Sequence, residues 1–319
     1  MVSKNFKVLA TGKMRPVAYE FLKDKVTLWD QQNAKFTPEE FDNYLKQADA
    51  IFSPYNNKID DAFLDKAPNL KIYAQFSVGY DHIDVEACHR HNVRVTNTPG
   101  VLVDAVADLA YGLIINSARQ LTNANDFVRN GTWGNKKAFG LTSSLADKTL
   151  GIIGMGDIGC AVACRALASK MKIAYYNRHR RQDEDKFQAT YAQLDELLKV
   201  SDFLLLSCSL NPSTINLINA KTLALMKPTA CLINISRGKV VDTDALYEAL
   251  ANKKLAYACL DVTEPEPLPG NHKLLTLNNV AVTPHMASAT AETRDAMALL
   301  AAKNILAFAE GKPLLTEVK

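Results

Sequence analysis

Leu150-Gly151-Ile152-Ile153-Gly154-Met155-Gly156-Asp157-Ile158-Gly159 is the stretch that decides the fold. An apolar strand runs into a Gly-x-Gly-x-x-Gly turn, and the Ala-rich segment Cys160–Ser169 continues as a helix. In such a unit Gly154 permits the tight turn, Gly156 lets a pyrophosphate approach the backbone, and Gly159 lets the helix pack on the strand. Free N–H groups at this turn and the helix dipole favour the phosphate charge, and Asp157 and Ile158 join the three glycines as cofactor-binding candidates. The glycines alone are weak evidence. Strand, turn and helix in succession favour a dinucleotide site over a plain tight turn.

Around this unit, short apolar strands alternate with helices: Thr149–Ile153, Lys172–Tyr176, Phe203–Ser207, Ala230–Ile235, Ala256–Leu260 and Val280–Thr283. An earlier series comprises Lys7–Ala10, Val26–Trp29, Ala50–Ser53, Lys71–Gln75 and Val93–Thr96, with helices such as Pro38–Gln47 and Asp60–Ala67 between them. This alternation predicts parallel sheets covered on both faces. Val101–Arg119 places Val106, Leu109, Ala110, Leu113, Ile114 and Ser117 on one face of a long helix. A last helix, Thr290–Glu310, is stopped by Gly311 and Pro313. The polar stretch Asn123–Lys148 is too long for a plain linker and reads as a lid or an oligomer contact. The fold class is α/β, with two doubly wound parallel-sheet domains and a cleft between them. Their expected bounds are 1–99 with 289–319, and 100–288. Two chain crossings suit a hinge that closes over a substrate.

The 319 residues suit about two domains. Hydrophobic residues at 48% and charged residues at 22% exclude a disordered polymer. The 37 Lys and Arg against 34 Asp and Glu leave +3, which gives no reason to expect nucleic acid or an anionic membrane as a partner. No apolar run approaches the roughly 18 residues of a membrane span, and Met1–Lys7 lacks a signal-peptide core. Six cysteines without CxxC or zinc spacing, among them the i, i+4 pair Cys160 and Cys164, read as buried packing thiols of a reduced, cytoplasmic protein. His89 and His91 form an HxH with no visible third ligand, so no metal is expected.

The strand Lys172–Tyr176 ends in Asn177-Arg178-His179-Arg180-Arg181. A site that prefers NAD usually places Asp or Glu here, on the ribose 2′-hydroxyl. Neutral Asn177 removes the charge that repels a 2′-phosphate. Arg178, with Arg181 or Arg180, offers that phosphate planar guanidinium forks. The position favours NADP over a merely solvated basic turn.

Three later segments place chemistry at strand ends: Ile233-Asn234-Ile235-Ser236-Arg237-Gly238, Leu260-Asp261-Val262-Thr263-Glu264-Pro265-Glu266-Pro267 and Val282-Thr283-Pro284-His285-Met286-Ala287-Ser288-Ala289-Thr290. Ligands bind at the carboxyl ends of strands in an open α/β sheet. Arg237, Glu266 and His285 each have a bland reading alone. Three such residues at three strand ends, downstream of a dinucleotide loop, point to one site.

With Ser77-Val78-Gly79-Tyr80-Asp81-His82-Ile83-Asp84 added, these motifs span nearly the whole chain. They resemble the D-isomer-specific 2-hydroxyacid dehydrogenases, most of all the NADPH-dependent glyoxylate/hydroxypyruvate reductases. The resemblance implies a flavodoxin-like substrate domain and a Rossmann cofactor domain. It implies hydride transfer from NADPH to a small 2-keto acid, giving the D-2-hydroxy acid. Arg237 would bind the substrate carboxylate and keto oxygen with a fork that Lys lacks. His285 would protonate the carbonyl oxygen, and Glu266 would hold the imidazole by a hydrogen bond. Val78 and Gly79 would offer backbone N–H groups to the carboxylate. Asp261, the Ile235 carbonyl, His285 and Ser288 would face the cofactor, and Cys208, Ser209 and Leu210 would line its adenosine side. A homodimer is implied, with Trp133 and Phe139 as candidate anchors or neighbours of the partner's pocket. Two departures stand out. Val106 replaces a cofactor-contacting Thr of many relatives, and Met286-Ala287 replaces a frequent Ile-Gly after the His. The alternatives are 2-ketogluconate reduction and a nucleotide-sensing regulator on the same scaffold.

Overall fold

The computed structural model describes residues 5–54, 57–135 and 137–319. The chain divides into two compact units, Met1–Leu102 with Ser288–Lys319, and Val103–Ala287.

In the first unit the strands are β1 Lys7–Ala10, β2 Thr27–Trp29, β3 Ala50–Ser53, β4 Ile72–Gln75 and β5 Arg94–Thr96. They form one sheet in the order β2-β1-β3-β4-β5, and every pair is parallel. This is the order of a flavodoxin-like sheet. All of β3 and β4 is buried, as strands covered on both faces must be. The helix Ala291–Ala309, capped by Thr290 Oγ1 accepting from the Thr293 N–H, returns to pack on these two strands. The chain end then runs antiparallel beside β5, where Thr96 bridges Glu317 and Arg94 pairs with the Glu317 carboxylate.

The second unit has β6 Thr149–Ile153, β7 Lys172–Tyr176, β8 Ala189–Tyr191, β9 Phe203–Leu206, β10 Cys231–Asn234, β11 Tyr257–Leu260 and β12 Val280–Val282. Their order is β12-β11-β10-β9-β6-β7-β8, again wholly parallel. The order reverses between β6 and β9, the switch point at which doubly wound sheets bind ligands. Strands β9, β10 and β11 are buried along their length, and the edge strand β12 is half-buried. Leu204, Leu206, Leu232 and Leu260 share one core with Leu246 and Leu250 of the helix Thr243–Ala251.

Departures from the sequence expectation are local. Strand β8 has three residues, one of them exposed, too short a run to show a period. The helix after the glycine loop starts earlier, at Asp157–Ala168, because Gly156 is its N-cap. Only Asp61–Leu64 of the expected helix Asp60–Ala67 is α-helical. The stretch from Asn123 opens inside a helix, Leu121–Arg129, followed by a 3-10 turn at Trp133–Asn135. That helix buries no residue, and Leu121, Val128, Trp133 and Leu141 are all more than half exposed.

Cys88, Cys160, Cys231 and Cys259 are buried, but Cys164 faces solvent. The buried stripe of its helix runs through Gly159, Val162, Ala163 and Ala166, which leaves position 164 at the rim. Burial pushes the thiols of Cys88 and Cys231 up to about 11 and that of Cys259 to about 12, so they are inert packing groups. Among the described residues no helix is long and apolar enough to cross a membrane.

Candidate active site

In the second unit the candidate residues gather at the carboxyl ends of the strands. At the end of β6, Gly154 has φ +91°, and a Cβ there would stand 2.5 Å from the Cys208 backbone. Only glycine closes this turn beside β9. A Cβ on Gly159 would stand 3.0 Å from the Gly154 carbonyl oxygen, so its absence seats the helix on the strand. Gly156 instead faces open space. The N–H groups of Asp157 and Ile158 donate to no acceptor among the described residues. Open backbone beside free N–H groups, at the start of a helix of 12 residues, fits a dinucleotide pyrophosphate.

The end of β7 braces this loop. Asn177 Oδ1 accepts from the Met155 N–H at 2.7 Å, and its amide nitrogen reaches the Met155 carbonyl at 3.3 Å. Arg181 donates to the same carbonyl at 3.0 Å and is gripped by Asp183 through a fork of 2.9 and 3.0 Å. Arg180 is paired with Glu184, which also accepts from the Tyr175 hydroxyl at 2.6 Å. Arg180 reaches Glu184, whereas Arg181 reaches the loop carbonyl. Arg178 is exposed and pairs with no acid among the described residues. At the end of β9, Ser207 Oγ donates to the Gly154 carbonyl at 2.9 Å. Burial pushes the half-buried Cys208 thiol up to about 11, which removes it as a nucleophile. Ser209 is exposed beside it.

At the end of β10, Asn234 is buried and forms an Asx-type turn. Its Oδ1 accepts from the Ser236 N–H at 3.0 Å and hydroxyl at 2.8 Å, while Nδ2 donates to the Arg237 carbonyl at 2.9 Å. The Ile235 carbonyl accepts no backbone hydrogen bond among the described residues. A Cβ on Gly238 would lie 2.0 Å from the Thr263 carbonyl oxygen, so glycine lets the β10 turn lie against the loop after β11. Arg237 is half-buried, donates to the Ser236 carbonyl at 2.9 Å, and acts electrostatically on Glu266.

His285 Nδ1 lies 2.6 Å from Glu266 Oε1. The other carboxylate oxygen, Oε2, accepts from the Thr263 N–H at 3.3 Å. Burial disfavours the Glu266 carboxylate, but the His285 hydrogen bond and charge, the Thr263 N–H and the Arg237 charge outweigh it. Glu266 is held below the ordinary carboxylate range. With Nδ1 engaged, Nε2 is the ring nitrogen left for a ligand. His285 itself has φ +50°, a strained conformation for a residue with a Cβ. Asp261 enforces it. The Asp261 carbonyl accepts from the His285 N–H at 2.9 Å. Its buried carboxylate accepts from Thr283 Oγ1 at 2.6 Å and from the Met286 and Ala287 N–H groups at 2.9 Å each.

Residues 111–287 match the family profile described as "D-isomer specific 2-hydroxyacid dehydrogenase, NAD binding domain". The chain belongs to the D-isomer-specific 2-hydroxyacid dehydrogenase family. It is 47% identical over 275 residues to a glyoxylate reductase from Thermococcus litoralis, covering 84% of this chain and 82% of that one. A glyoxylate reductase from Aeropyrum pernix is 43% identical over 320 residues, covering 97% and 94%. Among solved structures, an NADPH-dependent glyoxylate/hydroxypyruvate reductase from Sinorhizobium meliloti, in complex with NADP and malonate, is 35% identical. It superposes with a TM-score of 0.87 over 98% of this chain and 97% of that one.

Two further expected site residues of this dehydrogenase, Val78 and Gly79, lie in the first unit just after β4, and Ser288 begins that unit's returning segment. Val106 is buried in the second unit. His91 Nε2 sits 3.1 Å from Asp61, and no cluster of three His, Cys, Asp or Glu among the described residues is placed to hold a metal. Sequence reasoning assigned no work to Asn234, Ser236, Thr283 or Asp183. The Asn-x-Ser spacing at a strand end was a readable turn signal for the first two; the other two carry none.

Proposed function

We propose that this dehydrogenase is an NADPH-dependent reductase of glyoxylate and hydroxypyruvate, forming the 2-hydroxy acid (the D isomer where a stereocentre arises). The observation that carries the reading is the 2.6 Å pair of His285 and Glu266 at the sheet edge that also bears Arg237. The names of the relatives support the substrate, and the NADP complex of one of them supports the cofactor. The first unit serves as the substrate-binding domain and the second as the dinucleotide-binding domain. When bound, the reduced nicotinamide supplies the hydride.

Gly154, Gly156 and Gly159, with the N–H groups of Asp157 and Ile158, hold the pyrophosphate. Arg178 takes the 2′-phosphate, joined by the N–H groups of Arg181 that Asp183 and Met155 leave over. Asn177 keeps that pocket free of negative charge. Cys208 and Ser209 line the adenosine side, and the Ile235 carbonyl, Asp261 and Ser288 face the nicotinamide end. Arg237 binds the keto acid through carboxylate and carbonyl oxygen, and the Val78 and Gly79 N–H groups bind the carboxylate. His285 Nε2 gives its proton to the carbonyl oxygen as that oxygen gains charge. Glu266 fixes the ring orientation through its hydrogen bond to Nδ1. The exposed apolar side chains of Leu121, Val128, Trp133 and Leu141 support a homodimer through this segment. Six free thiols support a reducing, cytoplasmic setting.

Arg237→Ala and His285→Ala test the roles. Each abolishes reduction of glyoxylate while the melting temperature and NADPH binding stay near wild type. Near-wild-type turnover in either variant overturns the assignment.

A further inference from the structure

We propose that Asn97 is a positioning residue for the substrate carboxylate, locked in place by the C-terminal tail. The inference rests on the reading of Val78 and Gly79 as carboxylate donors. After β4 the Ser77 carbonyl accepts from the Thr98 N–H at 2.9 Å. The next carbonyl, of Val78, accepts from Asn97 Nδ2 at 3.0 Å. The one after, of Gly79, accepts from Ser77 Oγ at 2.7 Å. In a trans peptide the C=O and N–H point to opposite sides. Holding the Ser77 and Val78 carbonyls against Asn97-Thr98 therefore turns the Val78 and Gly79 N–H groups away from that segment. Both residues are half-buried, yet neither N–H donates to an acceptor among the described residues. Two successive N–H groups turned away from that segment, with no acceptor among the described residues, offer an anion a pair of donors.

Asn97 is held from behind. Its N–H donates to the Thr316 carbonyl at 3.2 Å, and its carbonyl accepts from Thr316 Oγ1 at 2.7 Å. Thr316 is in turn fixed by fully buried Asn304, whose Oδ1 accepts from the Leu315 and Thr316 N–H groups at 2.9 and 3.2 Å. Asn304 Nδ2 donates to Thr316 Oγ1 at 2.8 Å. Among the described residues the Val78–Gly79 peptide has one side-chain anchor, Asn97, and Gly79 lacks the Cβ that would resist rotation. Losing the anchor frees the N–H that meets the anion while touching neither the cofactor loop nor His285.

The test compares wild type with Asn97→Ala and Thr316→Val, which keeps size and removes the hydroxyl. Two readouts are used: steady-state kinetics with glyoxylate and NADPH, and calorimetric binding of oxalate, an unreactive dicarboxylate. In Asn97→Ala the KM for glyoxylate and the Kd for oxalate both rise about tenfold, the size of one lost hydrogen bond. The KM for NADPH and kcat stay put. Thr316→Val shifts the same two constants by a smaller factor, and it carries the test if Asn97→Ala does not fold. Unchanged glyoxylate KM and oxalate Kd in folded variants overturn the proposal. So does a parallel loss of kcat and NADPH affinity, which marks a general structural role. Wild type that binds no oxalate overturns it as well. If wild type reduces no keto acid but oxalate binding still weakens in Asn97→Ala, the positioning role stands and the reductase reading falls.

Discussion

Asp261→Asn is the most informative single-atom change in this site. The Asp261 carboxylate is about 1% exposed and accepts three hydrogen bonds, from Thr283 Oγ1 at 2.6 Å and from the Met286 and Ala287 N–H groups at 2.9 Å. An asparagine oxygen can keep the two bonds made by Oδ1. Its NH2 group, however, replaces the oxygen that faces Ala287, so donor meets donor in a buried place. Losing one charge-assisted bond and stranding one buried N–H costs roughly 2–4 kcal/mol. That is comparable with the ~1–3 kcal/mol needed to hold a residue such as His285 at positive φ. The His285 loop then relaxes, and a shift on the order of 1 Å at a catalytic group costs about 10²-fold in rate. The expected result is a glyoxylate kcat/KM lowered about 100-fold, with a melting temperature lowered by roughly 5–10 °C. Stopped assays and thermal denaturation read these two values. Wild-type kcat/KM in a folded Asp261→Asn enzyme would refute the claim that this carboxylate sets the histidine.

Gly238→Ala puts a methyl 2.0 Å from the Thr263 carbonyl oxygen and 2.6 Å from the Glu264 nitrogen, both backbone. Overpacking of about 1–3 kcal/mol and a displaced Arg237 are expected, read as a raised glyoxylate KM; an unchanged KM contradicts the close approach. Glu266 titrates in the folded protein below its ordinary 4.5. Its support for His285 is therefore whole above that pH and is lost as pH falls through the folded value. The kcat/KM profile should show an acid limb below the ordinary carboxylate range that vanishes in Glu266→Gln; persistence of the limb rejects the assignment. Arg178→Ala should raise the KM for NADPH about tenfold or more, the range for a charged hydrogen bond, and leave that for NADH unmoved. Equal effects on both cofactors would remove Arg178 from the 2′-phosphate site.

Strand positions and the glycine loop were readable because buried parallel strands are apolar runs and because each glycine has its own steric reason. Gly154 needs positive φ, Gly159 needs contact with the strand, and Gly156 needs open space. Glu266 and His285, both just beyond strand ends, are indeed brought together. What stayed hidden was the partnering of polar side chains. Arg181 looked like a free cation in a basic run, yet Asp183 two residues on takes one edge of its guanidinium. Asp261, expected to face the cofactor, also organises the loop of His285 through its oxygens, and its place in the sequence does not show that second task. Asn97 and Thr316 lie 219 positions apart, and no local period relates them. Strand β8 leaves no mark in the sequence, because three residues, one buried, one exposed and one between, carry no pattern above that of a loop.

The most direct test of the account follows the initial rate of NADPH oxidation, beside that of NADH, as glyoxylate, hydroxypyruvate, pyruvate and 2-ketogluconate are added to the purified chain. Rapid NADPH consumption with glyoxylate and hydroxypyruvate, and much slower use of NADH, is the predicted result. Tight NADPH binding with no turnover of any of the four acids would contradict it and would make the protein a nucleotide sensor on a dehydrogenase scaffold.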